Sequence, residues 1–460
     1  MGPLNRKSLS ALLIIVIVCG LAGAAHFAKA KTGTNVSSQI ITQNTTWTQA
    51  GSPYTFTGPV GVASGATLTI DAGVTVYIGN FQLNVNGTLN VQGTSTDKVV
   101  LNSLPTDDSP AQQINLQAEN PDCSIENAIL NTTAIFSGAD ASMRISNCFF
   151  NGTNLIGAAG IDAFGGSAVI TNNYISGGVT ASHSSIISDN TILGGIFVTG
   201  SSNNVIISAN NVTNSGGIVM NLYGVGTISD NIISGGSVGV AIEPEAADTI
   251  EGNLITNNQC GISISTSVNS LLPPVPDKSI IENNTIANNG EGMGPLSQET
   301  ITYNNFQNNG AHNLVNGASD VNATYNWWGT TNTQTINQSI YDNKNDYNLG
   351  VVTFVPFLTS PNPEAPAITT PIPPLSLATL APTSAPSKSS SQSPSPSQSS
   401  PAFTSSSATS EPQFNGLEIA IFVTLIIIVA LLSVIIALLL RRRPEKTASL
   451  QQTASSNTEG

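Results

Sequence analysis

The chain has 460 residues, only 9% of them charged, and a formal net charge of −14 from 27 acidic and 13 basic side chains. Between residues 32 and 387 the balance is sharper still, 23 acidic against 4 basic (Lys98, Arg144, Lys278 and Lys344). Nucleic acid is excluded as a partner, because binding phosphates needs a basic face.

At the N-terminus, Arg6 and Lys7 precede an apolar run from Leu9 to Ala25 and then Ala28-Lys29-Ala30. This pattern predicts a secretory signal peptide over 1–30, cut after Ala30, with an uncleaved anchor as the alternative. Residues 31–50, with Trp47, are expected to cap the domain that follows. From Ser64 to Ser103 short runs alternate apolar and polar residues between glycine-containing turns, as half-buried strands do. The expected core there is Leu68, Ile70, Val74, Val76, Leu83, Val85, Leu89, Val91, Val99 and Leu101.

From residue 125 a phrase recurs ten times: an apolar residue, two residues, asparagine, one residue, then a large apolar residue. ITNNYI (170–175), ISDNTI (187–192), ISDNII (228–233), IEGNLI (250–255) and IENNTI (281–286) show it most plainly. The asparagine column reads Ala128, Cys148, Asn173, Asn190, Asn210, Asn231, Asn253, Asn284, Asn304 and Asn326, with steps of 20, 25, 17, 20, 21, 22, 31, 20 and 22 residues. A period near twenty with β-branched residues and glycine turns is that of a β-solenoid, one repeat per turn of the coil. The flanking apolar residues are five apart, so a flat strand would put them on opposite faces. A corner at the asparagine lets both point inward. Asparagine suits a corner because its short amide bonds nearby backbone and tolerates left-handed geometry. Amides repeated at about 4.8 Å can also bond one another as a ladder. The expectation is an all-β right-handed parallel β-helix of roughly thirteen turns over 51–358, with Asn173 through Asn326 as its ladder. Trp47 at one end and Trp327 and Trp328 at the other are expected to close the open ends.

Two irregular places interrupt the coil. Glu243, Glu245 and Asp248, with Glu251 behind them, gather within one turn and suggest a structural calcium site, against the plainer reading of a solvated acidic loop. The 31-residue step between Asn253 and Asn284 implies a loop containing SLLPPVPDKS (270–279). The three cysteines beyond the signal, Cys123, Cys148 and Cys260, share no repeat column and are expected as buried thiols. Nine N-x-S/T sequons occur, from Asn35 to Asn337.

Residues 359–415 are rich in proline, serine and threonine and cannot build a core, so a stalk is expected. Ile419 to Leu440 is long and apolar enough to span a bilayer, and Arg441, Arg442 and Arg443 follow it. These features predict a membrane helix over 416–440, a cytoplasmic tail over 441–460, and a cell-membrane protein that crosses once and holds its β-helix outside.

Three stretches carry a resemblance: SPYTFTGPVGVASGATLTIDAGVTVYI (52–78), the repeated coil, and NATYNWWGT (322–330) with IYDNKNDYNLGVVTFVPFL (340–358). The chain resembles right-handed parallel β-helix proteins of the pectin-lyase-like superfold, most closely the membrane-anchored surface proteins common in archaea. The resemblance implies the fold but no single activity, since lyases, hydrolases, adhesins and copper-site maturation proteins share the coil. Lyases of this fold use a basic residue beside calcium-binding carboxylates, and hydrolases use clustered aspartates. Here Arg144 has no carboxylate pair beside it in sequence. Asp189 and Asp230 sit before ladder asparagines and read as corner residues. His183 and His312 are isolated, and Met143, Met220 and Met293 are scattered, which argues against copper delivery. No catalytic residue or cofactor is expected. The reading is a non-catalytic protein for adhesion, envelope structure or contact with an extracellular glycan or envelope protein. A carbohydrate-active enzyme is the alternative.

Overall fold

The structure is a computed structural model. It describes residues 33–368, except 104–111, 118–122, 139–140, 153–158, 200–202, 214–215, 221–224, 243–246, 265–278 and 297–298. Three parallel sheets run the length of this region. Sheet A has 13 strands, from Thr34–Val36 to Asn305–Gln307. Sheets B and C have 14 each, from Gln39–Ile41 to Ile340–Tyr341 and from Thr45–Trp47 to Val352–Thr353. Every turn but the last gives one strand to each sheet, and each strand pairs in parallel with its counterpart one turn away, as Ile232 does with Leu254 and Ile228 with Ile250. This is the right-handed parallel β-helix that the repeat predicts. Residues 34–47, expected as a cap, already form the first turn, pairing with Tyr54–Phe56, Val60–Val62 and Thr67–Asp71.

The core follows from the two-residue alternation of each strand. Inward positions form continuous columns, such as Ile145, Ile170, Ile187, Ile207, Ile228, Ile250, Ile281 and Ile301, each at most 1% exposed. All ten expected core residues of the entry segment are buried. Trp47 stacks on Tyr54 at 4.8 Å near the N-terminal end, and Trp328 stacks on Phe306 at 5.0 Å near the other. Cys123, Cys148 and Cys260 are free thiols. Met143, Met220 and Met293 are buried in the core.

The corner between sheets C and A repeats one device. The residue before each ladder position is left-handed: Asn172, Asp189, Ala209, Asp230, Gly252 and Asn283 all have φ between 55° and 64°. The ladder residue that follows turns its amide inward, and all eight ladder asparagines are at most 2% exposed. The left-handed strain thus falls one residue before the asparagine, not on it as the sequence suggested. From Asn190 to Asn326 each Oδ1 accepts two N–H groups from the preceding rung. Asn231 Oδ1 takes Asn210 N at 2.9 Å and Asn210 Nδ2 at 3.0 Å, and Asn253 Oδ1 takes the same pair from Asn231. Each Nδ2 also reaches back to a carbonyl, as Asn231 does to Ile207 O at 2.9 Å. A buried amide so bonded leaves no donor or acceptor unpaired.

Cys148 belongs to the same column. Its Sγ lies 3.5 Å from Ile125 O and 3.1 Å from Ser146 O, the carbonyls that an asparagine Nδ2 would take there, and its backbone N donates to Asn173 Oδ1 at 2.9 Å. Burial pushes its pKa up to about 12, so it remains a thiol and a donor.

A second ladder, which the sequence reading missed, stands at the corner between sheets A and B. Asn258 N and Nδ2 donate to Asn289 Oδ1 at 2.9 and 3.1 Å, and Asn289 repeats this with Asn309 at 3.1 and 3.2 Å. Again a left-handed residue precedes each rung: Asn257, Asn288 and Asn308. Gly239, Gly261 and Gly292 stack beside it, where a β-carbon would strike the backbone of the next turn.

The expected membrane anchor is not supported. The helix α1, Thr333–Gln338, has six residues and reaches about 9 Å, and among the described residues no helix is long and apolar enough to cross a membrane. The segment expected to span, 416–440, lies outside the described residues, as do the expected signal peptide, cytoplasmic tail and most of the stalk. The single-pass topology, the membrane as a partner, the cell-membrane location and the likeness to membrane-anchored surface proteins are therefore not supported.

The ladder makes two opposite stability predictions. Asn231→Leu strips partners from Asn210, Asn253 and Ile207 and should cost on the order of 1–3 kcal/mol. Cys148→Asn adds a full rung and should stabilise by about 1 kcal/mol. Denaturant melts of the two variants beside the wild type measure both.

Candidate functional site

The acidic turn is only partly described. Glu243 and Glu245 lie outside the described residues. Asp248 is 1% exposed, and its Oδ1 accepts from Gly226 N at 2.8 Å while its own N donates to Ser279 Oγ at 3.1 Å. Its carboxylate links consecutive turns of sheet C. Glu251 points outward between Ser229 and Glu282 of the adjacent turns. Among the described residues, no three or more His, Cys, Asp or Glu side chains are grouped so as to hold a metal ion.

The residues weighed for catalysis stay apart. Arg144 stands in the outward column of sheet C between Ser124 and Val169. Asp189 and Asp230 occupy left-handed corners, φ 58° and 56°, where a short polar side chain eases the turn. His183 is another left-handed residue, with Nδ1 2.7 Å from Ser182 Oγ, and the His312 ring lies 5.3 Å from Tyr341.

The corner column contains one anomaly. Where other turns put asparagine, aspartate, alanine or glycine before the ladder rung, the last two put tyrosine. Tyr303 and Tyr325 hold φ of 58° and 59°, a conformation that bulky side chains rarely adopt. Both remain 42–45% exposed, and their rings stack at 5.7 Å with 16° between planes. The turn spacing sets the ring separation, since Tyr303 N bonds Tyr325 O at 3.1 Å. From below, Pro356 O accepts from Tyr325 N at 2.6 Å and Asn362 Nδ2 donates to Tyr303 O at 2.6 Å. The result is a flat, rigid aromatic ledge facing solvent. Strain held at an exposed position is a pointer to function rather than to stability. The sequence displayed both tyrosines inside ITYNNF and ATYNWW, but only the left-handed backbone makes them a ledge.

A second aromatic patch lies on sheet B. Its outward column runs Phe136, Asp162, Thr180, Phe197 over consecutive turns. Phe164 and Phe197 are 57% and 44% exposed. Burial raises the pKa of Asp162 from its ordinary value, while Phe164 N bonds the carboxylate and opposes that shift. One carboxylate oxygen, Oδ1, is buried with no hydrogen-bond partner. The column gives Asp162 no second carboxylate, because Phe136 and Thr180 flank it.

A protein-family model described as a right handed beta helix region matches residues 177–340, and so covers the regular part of the ladder. No curated protein and no solved structure matches the chain.

Asp162 gives a pH-dependent prediction. Its folded pKa is raised, so the ionised form is penalised only in the fold. The penalty is complete above the folded pKa and absent below the unfolded value near 3.8. Asp162→Asn should therefore raise the melting temperature at pH 7, and that gain should shrink to nothing as the pH falls below the unfolded value.

Proposed function

We propose that the β-helix is a non-catalytic contact rod whose ligand is a glycan or other neutral, hydroxyl-rich envelope polymer. One observation carries the reading: the Tyr303–Tyr325 ledge, two parallel exposed rings held in a strained backbone. Flat aromatic faces pack against the apolar faces of sugar rings, and phenolic hydroxyls at the ring edge supply hydrogen bonds. The excess of acidic residues disfavours an anionic polymer and allows a neutral or cationic one. The regular repeat supports the same reading, because a rod presents equivalent positions at every turn and suits an extended ligand.

Asp162 is the observation that favours an enzyme. A carboxyl group with a raised pKa resembles the general acid of a glycosidase. Such enzymes need a partner carboxylate within roughly 5–9.5 Å. The neighbouring positions in its column hold phenylalanine and threonine, so contact without catalysis remains the better-supported reading.

The test is a glycan-binding screen of the full chain, followed by titration of any hit. Tyr303→Ala and Tyr325→Ala should each weaken binding about tenfold, near 1.4 kcal/mol, with the melting temperature unchanged or raised by relief of strain. Unchanged affinity in both variants removes the ledge from the contact, and release of shortened saccharides by the wild type would establish the enzyme instead.

A further inference from the structure

The chain does not leave the rod after its last strand, Val352–Thr353. Tyr325 N donates to Pro356 O at 2.6 Å, and Leu358 N donates to Asn326 O at 3.0 Å. The second bond copies the regular corners, where Asn211 N donates to Asn190 O and Leu254 N to Asn231 O, both at 2.8 Å. Residues 356–358 thus stand where the corner of a further turn would be. The chain then folds back along the outside of sheet A as a strap. Asn362 N donates to Asn305 Oδ1 at 2.7 Å, Asn305 Nδ2 donates to Asn362 O at 3.1 Å, and Thr285 Oγ1 donates to Pro366 O. Asn362 and Ala365 are buried.

The strap meets the tyrosine ledge at its backbone. At earlier corners the left-handed N–H bonds the residue before the next left-handed one, as Asp189 does with Ser208 O and Asp230 with Glu251 O. Tyr303 N instead bonds the carbonyl of Tyr325 itself, at 3.1 Å. The two tyrosines carry four backbone polar groups. Tyr303 N and Tyr325 O bond each other, and Tyr303 O and Tyr325 N bond the strap. Asn362 supplies the bond to Tyr303. Its Nδ2 donates to Tyr303 O at 2.6 Å and to Asn283 Oδ1 at 2.9 Å, while its Oδ1 accepts from Glu364 N at 3.2 Å. One side-chain amide thereby ties Tyr303 to Asn283, the left-handed residue one turn earlier. A bulky residue stays in the left-handed region only where its surroundings over-determine it. For Tyr303 those surroundings are the rung Asn304, the Tyr325 carbonyl and Asn362.

We propose that the strap is a latch on the tyrosine ledge and that Asn362 is its positioning residue. With Asn362 docked, the left-handed backbone of Tyr303 is held and the two rings lie parallel. With the strap lifted, Tyr303 O and Tyr325 N lose their partners, Tyr303 relaxes and the rings part. Contact through the ledge and docking of the strap are then linked, and each stabilises the other. The role in binding rests on the reading of the ledge as the contact site, whereas the latch itself is tested without a ligand.

The test is fluorine NMR of the full chain carrying meta-fluorotyrosine at its eight tyrosines. Tyr303→Phe, Tyr325→Phe and Tyr347→Phe assign the signals. Stacking in the wild type should displace both ledge signals from that of Tyr347, which is 94% exposed. Asn362→Ala should abolish at least half of each displacement. Two comparison variants should keep the displacements: Thr285→Val, which frees only the Pro366 end of the strap, and Asn231→Leu, which weakens the rod three turns away. Retained displacements in Asn362→Ala overturn the latch. So does an equal loss in either comparison variant, because the ledge would then follow the strap or the rod as a whole rather than Asn362. The expected pattern without any glycan binding supports the latch and removes only the ligand.

Discussion

A hydrogen-bond constraint governs the corners of this fold. Each turn of a solenoid must bend its backbone inside a core that offers no water, so polar groups at the bend need partners supplied by the protein. The chain meets that need with a two-residue unit, a left-handed residue followed by a side chain that bonds the turns before and after it. The left-handed residue reverses the strand without breaking the parallel ladder. The following amide then absorbs the N–H groups that the bend releases. Asn231 serves Asn210, Asn253, Ile207 and Ser229 at once, so consecutive turns are locked in register by side chains as well as by strands. Cys148 shows the minimum requirement, since a thiol whose single S–H lies within reach of two carbonyls keeps the column continuous where no amide is present.

The same unit explains where the surface becomes distinctive. A ladder fixes its own residue but leaves the preceding left-handed residue pointing outward and free to vary in side chain. Most turns fill that position with residues that tolerate the conformation. The last two fill it with tyrosine, and the regular rise of the coil sets the two rings parallel. A C-terminal strap, residues 356–366, passes directly beneath, with Asn362 bonded to the backbone of Tyr303 and to the side chain of Asn305. Ledge, ladder and strap therefore meet around Tyr303 and Asn305 near the C-terminal end.

Sequence and structure agree most closely where the spacing repeats. The eight ladder asparagines and the ten entry core residues were legible because one column of a coil must present the same chemistry at every turn. The second ladder was not, although TNN, ANN and QNN stand in the sequence at 256–258, 287–289 and 307–309. It runs through only a few turns, and Gly236 takes the equivalent place one turn earlier, accepting the role with a backbone N–H to Asn258. Asp248 was grouped with Glu243 and Glu245 as a calcium ligand by proximity in sequence, and the bond that its Oδ1 accepts from Gly226 N, one turn away, was not legible there. The anchor was inferred from hydropathy in a segment outside the described residues, and no described helix supports it.

The sequence by itself determined the coil: its period, its inward columns and its asparagine rungs from Asn173 to Asn326. These are properties that every turn must satisfy independently, so local pattern carries them. Only the tertiary structure decided which residue of each corner bears the left-handed strain, that Cys148 is a rung, that two tyrosines form one flat ledge, and that the chain after residue 358 doubles back over sheet A. Each of these depends on the neighbour one turn away. That neighbour is about twenty residues distant in sequence and about 4.8 Å distant in space, and only the stacking of turns brings the two together.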